Sequence, residues 1–316
     1  MDATGAVTRA IADFAVRRPA VGDEVCVGLS GGPDSLALVA CAVRAGLRVH
    51  ALVVDHGLQP GSDAVAVEAA DAARGLGAEA TVLPVSVGSD GGMEAAARTA
   101  RYAALDDARD GRAVLLAHTA DDQAETVVLG LARGSGARSI AGMRPWNPPW
   151  GRPLLRIRRA QTLAVCIELG LRPHRDPHNR DPRFTRVRVR GEVLPLLDDV
   201  LHGGVVDALG RTATALQADN DALDALAEDW YRRAAVEGDL DAEVLAAAPA
   251  ALRTRVLRRW LLDVGATEPT HRVIGAVDRL IVEPGSHGHV AIGGDPTSRT
   301  VVARAGPRLH VVHLSR

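Results

Sequence analysis

The chain has 316 residues, 47% hydrophobic and 24% charged, with a formal net charge of −2: ordinary globular composition, long enough for one large domain and a smaller one, with no global signal for nucleic acid. Its three cysteines (Cys26, Cys41 and Cys166) form no CxxC pair, which excludes a thiolate zinc site or a catalytic dithiol and fits buried thiols in a reducing compartment. The amino terminus has no apolar run behind a basic start, and no stretch approaches the roughly 20 apolar residues that cross a bilayer, so a soluble cytoplasmic protein is expected.

Over the first 120 residues two patterns alternate. Apolar runs at 24–29, 49–54, 80–85 and 113–117 read as short buried strands, and the amphipathic segments 34–45, 63–76 and 93–109 read as helices between them. Such βαβ units build an α/β fold with a doubly wound parallel sheet, whose ligands sit at the carboxyl ends of the strands.

The pattern breaks after about residue 135. Residues 142–153 hold four prolines with Trp146 and Trp150, and read as a loop. Residues 151–190 carry eleven arginines against Glu168, Asp176 and Asp181, an excess of eight positive charges. The chain contains no lysine, which GC-rich codon usage explains, yet arginine forks suit phosphate better than point charges do. From about 203 the pattern turns helical, at 205–235, 241–247, 250–264 and 271–281, and ends in β-like runs at 286–292, 299–303 and 308–314. A boundary near residue 200 is expected. It divides residues 1–200 from a C-terminal helical domain, 201–316, that closes in a small sheet.

The chemistry concentrates in two segments. Directly after the first strand comes Ser30-Gly31-Gly32-Pro33-Asp34-Ser35, opening a helix. Glycines let backbone amides face an anion, and a helix amino terminus supplies unpaired N–H groups with a favourable dipole. Ser30 and Ser35 add hydroxyls, and Asp34 is placed to hold a magnesium ion bridging phosphates. The segment is neither a Walker A loop nor a dinucleotide fingerprint. The second strand ends Asp55-His56-Gly57-Leu58 at the edge where an adenosine would lie, although both residues read as readily as loop polar groups.

The second segment is His118-Thr119-Ala120-Asp121-Asp122-Gln123-Ala124-Glu125-Thr126. Asp121 is expected to cap the new helix, with Asp122 and Glu125 three apart on one face toward the cleft. Two acids and a histidine there can hold a cationic substrate and order a metal, though their spacing is not a zinc motif. Upstream, Glu94 and Arg98 form an i, i+4 pair, with Arg101 on the same helix.

The loop SGGPDS resembles the SGGxDS signature of the PP-loop ATP pyrophosphatases, which split ATP between its α and β phosphates. Together with Asp55-His56-Gly57-Leu58, the ARxxRY segment around Arg98 and Arg101, AHTADDQAET, the following Leu131-Ala132-Arg133-Gly134-Ser135-Gly136, Arg152-Pro153-Leu154-Leu155 and the run Arg186–Arg190, it resembles the tRNA(Ile)-lysidine synthetases across roughly residues 20–200. The resemblance departs at Val187, where the family usually shows asparagine, and at Asp176-Pro177-His178-Asn179, which lacks the family's serine.

The resemblance implies an ATP-dependent ligase that adenylates C2 of the wobble cytidine of tRNA(Ile) with a CAU anticodon, then joins free lysine there and releases AMP and pyrophosphate. It implies ATP in a cradle of Ser30, Gly31, Gly32, Pro33 and Ser35, with Asp55 and His56 nearby and magnesium on Asp34. Asp122 and Glu125 receive the lysine amines, and His118 lies near ATP or the reacting base. Arg98, or failing it Arg101, takes the lysine carboxylate or the cytosine. Arg101, Arg133, Arg186, Arg188 and Arg190 meet tRNA phosphates or bases. The alternative is another PP-loop tRNA-modifying enzyme, such as a 2-thiocytidine sulfurtransferase, although sulfur transfer usually needs a cysteine cluster. A homodimer is left open.

Overall fold

The computed structural model describes residues 2–58, 61–88, 92–134, 136–174, 176, 181–267, 269–283, 288–294 and 298–315. Ser135, Pro177, His178, Asn179 and the side chain of Glu94 lie outside the described residues, as does the start of the expected strand at 286–292. Two units emerge, Met1–Leu129 with Gly142–Ala213, and Gly130–Ala141 with Thr214–Arg316.

In the first unit the chain runs α1 (Ala3–Val16), β1 (Glu24–Gly28), α2 (Pro33–Arg44), β2 (Arg48–Asp55), α3 (Ser62–Gly75), β3 (Glu79–Pro84), α4 (Met93–Ala108), β4 (Ala113–Leu115) and α5 (Ala120–Ala132). After the short α6 (Ala137–Ile140) of the second unit come β5 (Trp146–Asn147), β6 (Trp150–Gly151), α7 (Arg159–Glu168), α8 (Thr185–Arg188), a π-helical turn at Val189–Val193, α9 (Leu194–Val200) and the start of α10 (Val205–Ala234). The sheet order is β3-β2-β1-β4-β6-β5, all parallel except the edge strand β5. The doubly wound parallel sheet expected from the alternating pattern is therefore present.

Strand alternation decides which helix covers which face. Val25, Val27, Ala51, Val53 and Leu115 point to one side, where they bury with residues of α1, α2, α3 and α7. Cys26, Leu52 and Val114 point to the other, against Leu105 and Tyr102 of α4. A third cluster joins Ala120 and Ala124 of α5 to Val189, Leu194 and Val205.

The proline-rich stretch 142–153 departs from its reading as a loop. Trp150 and Gly151 pair with Val114 and Leu115, and Trp146 and Asn147 pair back on them. Gly151 permits this: a Cβ there would stand 2.7 Å from Leu115 Cδ2 and 3.0 Å from the Phe14 ring. Periodicity cannot show a two-residue strand.

The second unit carries the later turns of α10, then β7 (Ala235–Val236), β8 (Asp239–Asp241), α11 (Ala242–Ala246), α12 (Ala250–Asp263), α13 (His271–Val282), β9 (His289–Gly294), β10 (Ser298–Ala305) and β11 (Arg308–Ser315). The strands form an antiparallel sheet, β7-β8-β11-β10-β9. Trp260, Leu257, Leu261, Leu245, Val302 and Leu309 fill its core, and the Trp260 indole N–H donates to Gly238 O at 2.8 Å. This is the helical domain closing in a small sheet that the sequence pattern predicts.

Candidate active site

The sheet winds outward in one direction from β1 through β2 to β3, and β4 lies on the other side of β1. Adjacent loops leaving such a pair open a crevice at the carboxyl ends of the strands. The loop after β1 is Leu29–Gly32, and the loop after β4 leads through His118 into α5.

The loop after β1 is built to turn tightly. Gly31 has φ +76°, a left-handed value that L side chains rarely adopt, and a Cβ there would meet Ala69 Cβ at 3.3 Å. Pro33 occupies the first turn of α2, where its missing N–H costs nothing. The Ser35 hydroxyl donates to Gly32 O at 3.1 Å and accepts from Ser30 N at 3.2 Å, with Ser30 Oγ 3.1 Å away. Among the described residues no side chain caps α2 at Gly32, so its first-turn amides are left to meet an anion. Asp55 instead closes its own turn: its carboxylate is held below the usual range by the Ser62 hydroxyl and by Gly57 N–H at 3.0 Å.

The helix after β4 is capped differently from the sequence expectation. Thr119 and Asp122 form the reciprocal pair, with Thr119 N–H and Oγ1 both 2.8 Å from Asp122 Oδ2, and Asp122 N–H 3.4 Å from Thr119 Oγ1. Asp121 does not cap α5. It accepts Arg159 N–H at 2.8 Å and Arg158 Nη2 at 3.2 Å, so it caps α7. A hydroxyl one residue before the helix reaches its free amides, whereas Asp121, already inside the first turn, points away from them.

Asp122 and Glu125 do converge, and arginines occupy the point of convergence. Arg159 places Nη2 2.5 Å from Asp122 Oδ1, Nη1 3.6 Å from Glu125 Oε1 and Nε 3.2 Å from Asp34 Oδ2. Arg190 places Nε 2.7 Å from Glu125 Oε1 and Nη2 3.6 Å from Asp122 Oδ1. Arg186, nearly half exposed, reaches Glu125 at 3.9 Å. The Thr162 hydroxyl donates to the other oxygen of Asp34. The Glu125 side chain has no exposure at all.

Burial pushes the Asp34 carboxyl up, against the pull of Thr162 and Arg159. Burial pushes Asp122 up too, but Arg159 and the Thr119 hydrogen bonds outweigh it and leave that carboxyl below its ordinary value. Burial lowers Arg159 as well, and the three carboxylates more than reverse it, so its guanidinium stays charged.

Beside this cluster lies a second one of histidines and arginines. Burial takes His118 down to about 3, opposed by Asp122 and helped by Arg152, Arg101 and Arg98. Burial also lowers His56 and Arg101, with Arg101 adding to the effect at His56. His56 Nδ1, Arg101 Nε, His118 Nδ1 and Arg152 Nε are buried with no partner among the described residues. Native interiors rarely leave such groups unmet, so these atoms are available to the polar groups of a ligand. Arg98 and Arg101 stack over the Tyr102 ring at 4.9 and 5.5 Å, and Tyr102 meets Trp150 edge-on at 4.7 Å.

The structure therefore brings together Asp34, Asp122, Glu125 and Arg190, and gathers His56, His118 and Arg101 near them. Arg188 turns outward to Glu192, at 2.8 Å. Arg133 is exposed in the turn after α5, within the second unit. The sequence pattern does not mark Arg159, Thr162 or Thr119 as site residues. Their signal was the Arg159–Thr162 spacing of three at the start of a helix, masked by the surrounding basic run.

A family model described as PP-loop domain matches residues 5–197, and one described as TilS substrate binding domain matches 240–310. The chain is 62% identical over 293 residues to a tRNA(Ile)-lysidine synthase of Nocardia farcinica, covering 92% of each protein. It is 58% identical over 286 residues to one of Mycobacterium tuberculosis, covering 89% of this chain and 88% of that protein. Among solved structures, the U34-tRNA thiolase NcsA of Methanococcus maripaludis shares the fold, with TM-score 0.54 and 17% identity, over 67% of this chain and 78% of that one.

Proposed function

The chain belongs to the tRNA(Ile)-lysidine synthase family, and from that premise we propose that it joins free lysine to C2 of the wobble cytidine of tRNA(Ile) with a CAU anticodon. It is an ATP-using ligase that acts on tRNA(Ile). The observation that carries the finer reading is the meeting of Asp34, from the nucleotide loop, with Asp122 and Glu125 around a single guanidinium. That meeting supports taking one crevice for both a phosphate cradle and an acid pair suited to a cationic amine.

In this reading Ser30, Gly31, Gly32, Pro33 and Ser35 cradle the ATP phosphates, and Asp55 and His56 lie by the nucleoside. The cytidine O2 attacks the α phosphate and pyrophosphate leaves. The lysine ε-amine then attacks C2 and AMP leaves. Asp122 and Glu125 receive the lysine amines in exchange for part of their arginine contacts. Arg98 or Arg101 takes the lysine carboxylate or the cytosine edge, for which the unmatched buried donors of Arg101 and Arg152 are suited. A histidine that takes up a proton only near pH 3 is a poor general base at neutral pH, so His118 acts as a neutral hydrogen-bonding group at ATP or the base.

Magnesium fits this donor set. Hard divalent ions on nucleotides use one or two carboxylates plus the phosphates themselves, and Asp34 is the loop's carboxylate. Bound there, the ion would neutralise pyrophosphate charge.

We assign residues 1–200 to catalysis and 201–316 to tRNA contact, with Arg133, Arg186 and Arg188 on the nucleic acid. We place the reaction in the cytoplasm; no helix among the described residues is long and apolar enough to cross a membrane. Sulfur transfer is not favoured, since Cys26, Cys41 and Cys166 are all buried and burial pushes each thiol up, away from the reactive thiolate.

The test is incubation with ATP, magnesium, lysine and tRNA(Ile) bearing CAU, followed by nucleoside mass analysis and sedimentation of the enzyme. A lysine adduct of cytidine, with one AMP and one pyrophosphate per adduct, is expected. Unmodified cytidine, or a thiolated one, overturns the reading. A sedimentation mass of twice the chain supports the homodimer, and a single-chain mass overturns it.

A further inference from the structure

We infer that Arg159 is a positioning residue for both chemical steps, holding the nucleotide loop and the amine-binding acids at one fixed spacing. The inference rests on the proposed function, because it takes Asp34 to serve ATP and Asp122 with Glu125 to serve lysine.

Three nitrogens of one guanidinium face three different carboxylates, at 3.2 Å (Asp34), 2.5 Å (Asp122) and 3.6 Å (Glu125). Among the described residues Arg159 alone contacts all three. Arg190 reaches Glu125 and Asp122, and Arg186 reaches Glu125. A planar fork spreads its donors over three nitrogens and so spans carboxylates at these separations, whereas the three donors of an ammonium sit on one nitrogen at a different reach and cannot keep all three contacts.

Arg159 is itself well anchored. It is the first residue of α7, and α7 packs against α1 and α2. Its own N–H is held by Asp121 at 2.8 Å. One turn on, the Thr162 hydroxyl fixes the second oxygen of Asp34. Asp34 sits in the first turn of α2, so α7 carries two groups that set where the loop's carboxylate points. The spacing from activated C2 to the attacking amine then depends on a guanidinium that touches neither. Misplacement by about 1 Å at such a remove can cost on the order of a hundredfold in rate.

The test compares Arg159→Lys with Arg158→Lys, an adjacent change of the same kind that alters the half-exposed pair with Asp121 and touches neither Asp34, Asp122 nor Glu125, and with wild type. Arg159→Lys is expected to slow single-turnover formation of adenylated tRNA at least tenfold and to raise the lysine KM at least tenfold, with Arg158→Lys unchanged. A merely structural role would lower the melting temperature and the active fraction but leave the lysine KM of the folded fraction alone. In Arg159→Ala, added methylguanidinium is expected to restore the rate in a saturable way. A wild-type lysine KM and adenylation rate in Arg159→Lys, or no rescue of folded Arg159→Ala, overturns the role. Wild-type assays separate the two ideas: no lysidine from wild type overturns the proposed function, while lysidine from wild type with normal constants in Arg159→Lys overturns only the role of Arg159.

Discussion

Arg190 grips Glu125 through two nitrogens, Nε at 2.7 Å from Oε1 and Nη2 at 3.2 Å from Oε2. The arginine run therefore divides. Arg190, on the π-helical turn, is committed to a buried carboxylate, whereas Arg188, two residues earlier, is exposed and pairs with Glu192.

Arg190→Ala should accordingly be a folding defect first. Removing one partner of a buried pair costs about 3–5 kcal/mol, toward the lower end here because Arg159 still reaches Glu125 at 3.6 Å. The melting temperature should fall by several degrees, with the salt slope of tRNA binding unchanged in the folded protein. Arg188→Ala should do the reverse, lowering the slope by about 1 with no loss of stability. Binding titrations across a salt series, alongside thermal melts, read both; a shallower slope in Arg190→Ala would put that residue on a phosphate.

Asp34→Ala and Glu125→Gln should fail at different steps. Without Asp34 the loop has no carboxylate, and adenylation of tRNA should be abolished. Glu125→Gln removes one charged partner of a desolvated amine, worth about 2–5 kcal/mol, so the lysine KM should rise about tenfold for each 1.4 kcal/mol lost. Adenylated tRNA should then accumulate. Single-turnover assays with α-labelled ATP, with and without lysine, distinguish the cases. Missing adenylated tRNA in Glu125→Gln, with ATP and tRNA still bound, would reassign that acid to the nucleotide.

His118 makes the fold sensitive to acid. Its imidazole is lowered from an ordinary 6.5 to about 3 by burial, so the unfolded chain takes up a proton there that the folded chain refuses. Stability from this group is fully present above about pH 6.5 and drains away as pH falls toward 3. In melts across that window, wild type should lose stability more steeply than His118→Gln. Parallel curves for the two proteins would mean that His118 titrates normally.

The fold and the motif residues were legible because both rest on local pattern. The strand–loop–helix around Ser30–Ser35 announces itself through two glycines after an apolar run, and alternating βαβ segments dictate the sheet. What was not legible is pairing across distance. Nothing near Asp122 says that its counterion is Arg159, 37 residues on, or that Glu125 meets Arg190, 65 residues on. The eleven arginines of 151–190 look alike in sequence; among the described ones, burial separates those turned inward, such as Arg159 and Arg190, from those left to solvent, such as Arg183 and Arg188. Asp121 was misread for a similar reason: an acid at a helix start suits a cap, but its partner was the start of another helix.

The order of the cluster along the chain has a consequence for synthesis. Asp34, Asp122 and Glu125 leave the ribosome before Arg159, and Arg190 emerges last. Until Arg159 emerges the sheet from β1 to β4 can form, but its three acids lack the guanidinium they share, and Glu125 waits longer for Arg190. The site of the nascent unit is expected to close only once Arg190 has cleared the ribosome, so a chain stalled earlier should be more sensitive to protease there, its last missing piece a positive charge.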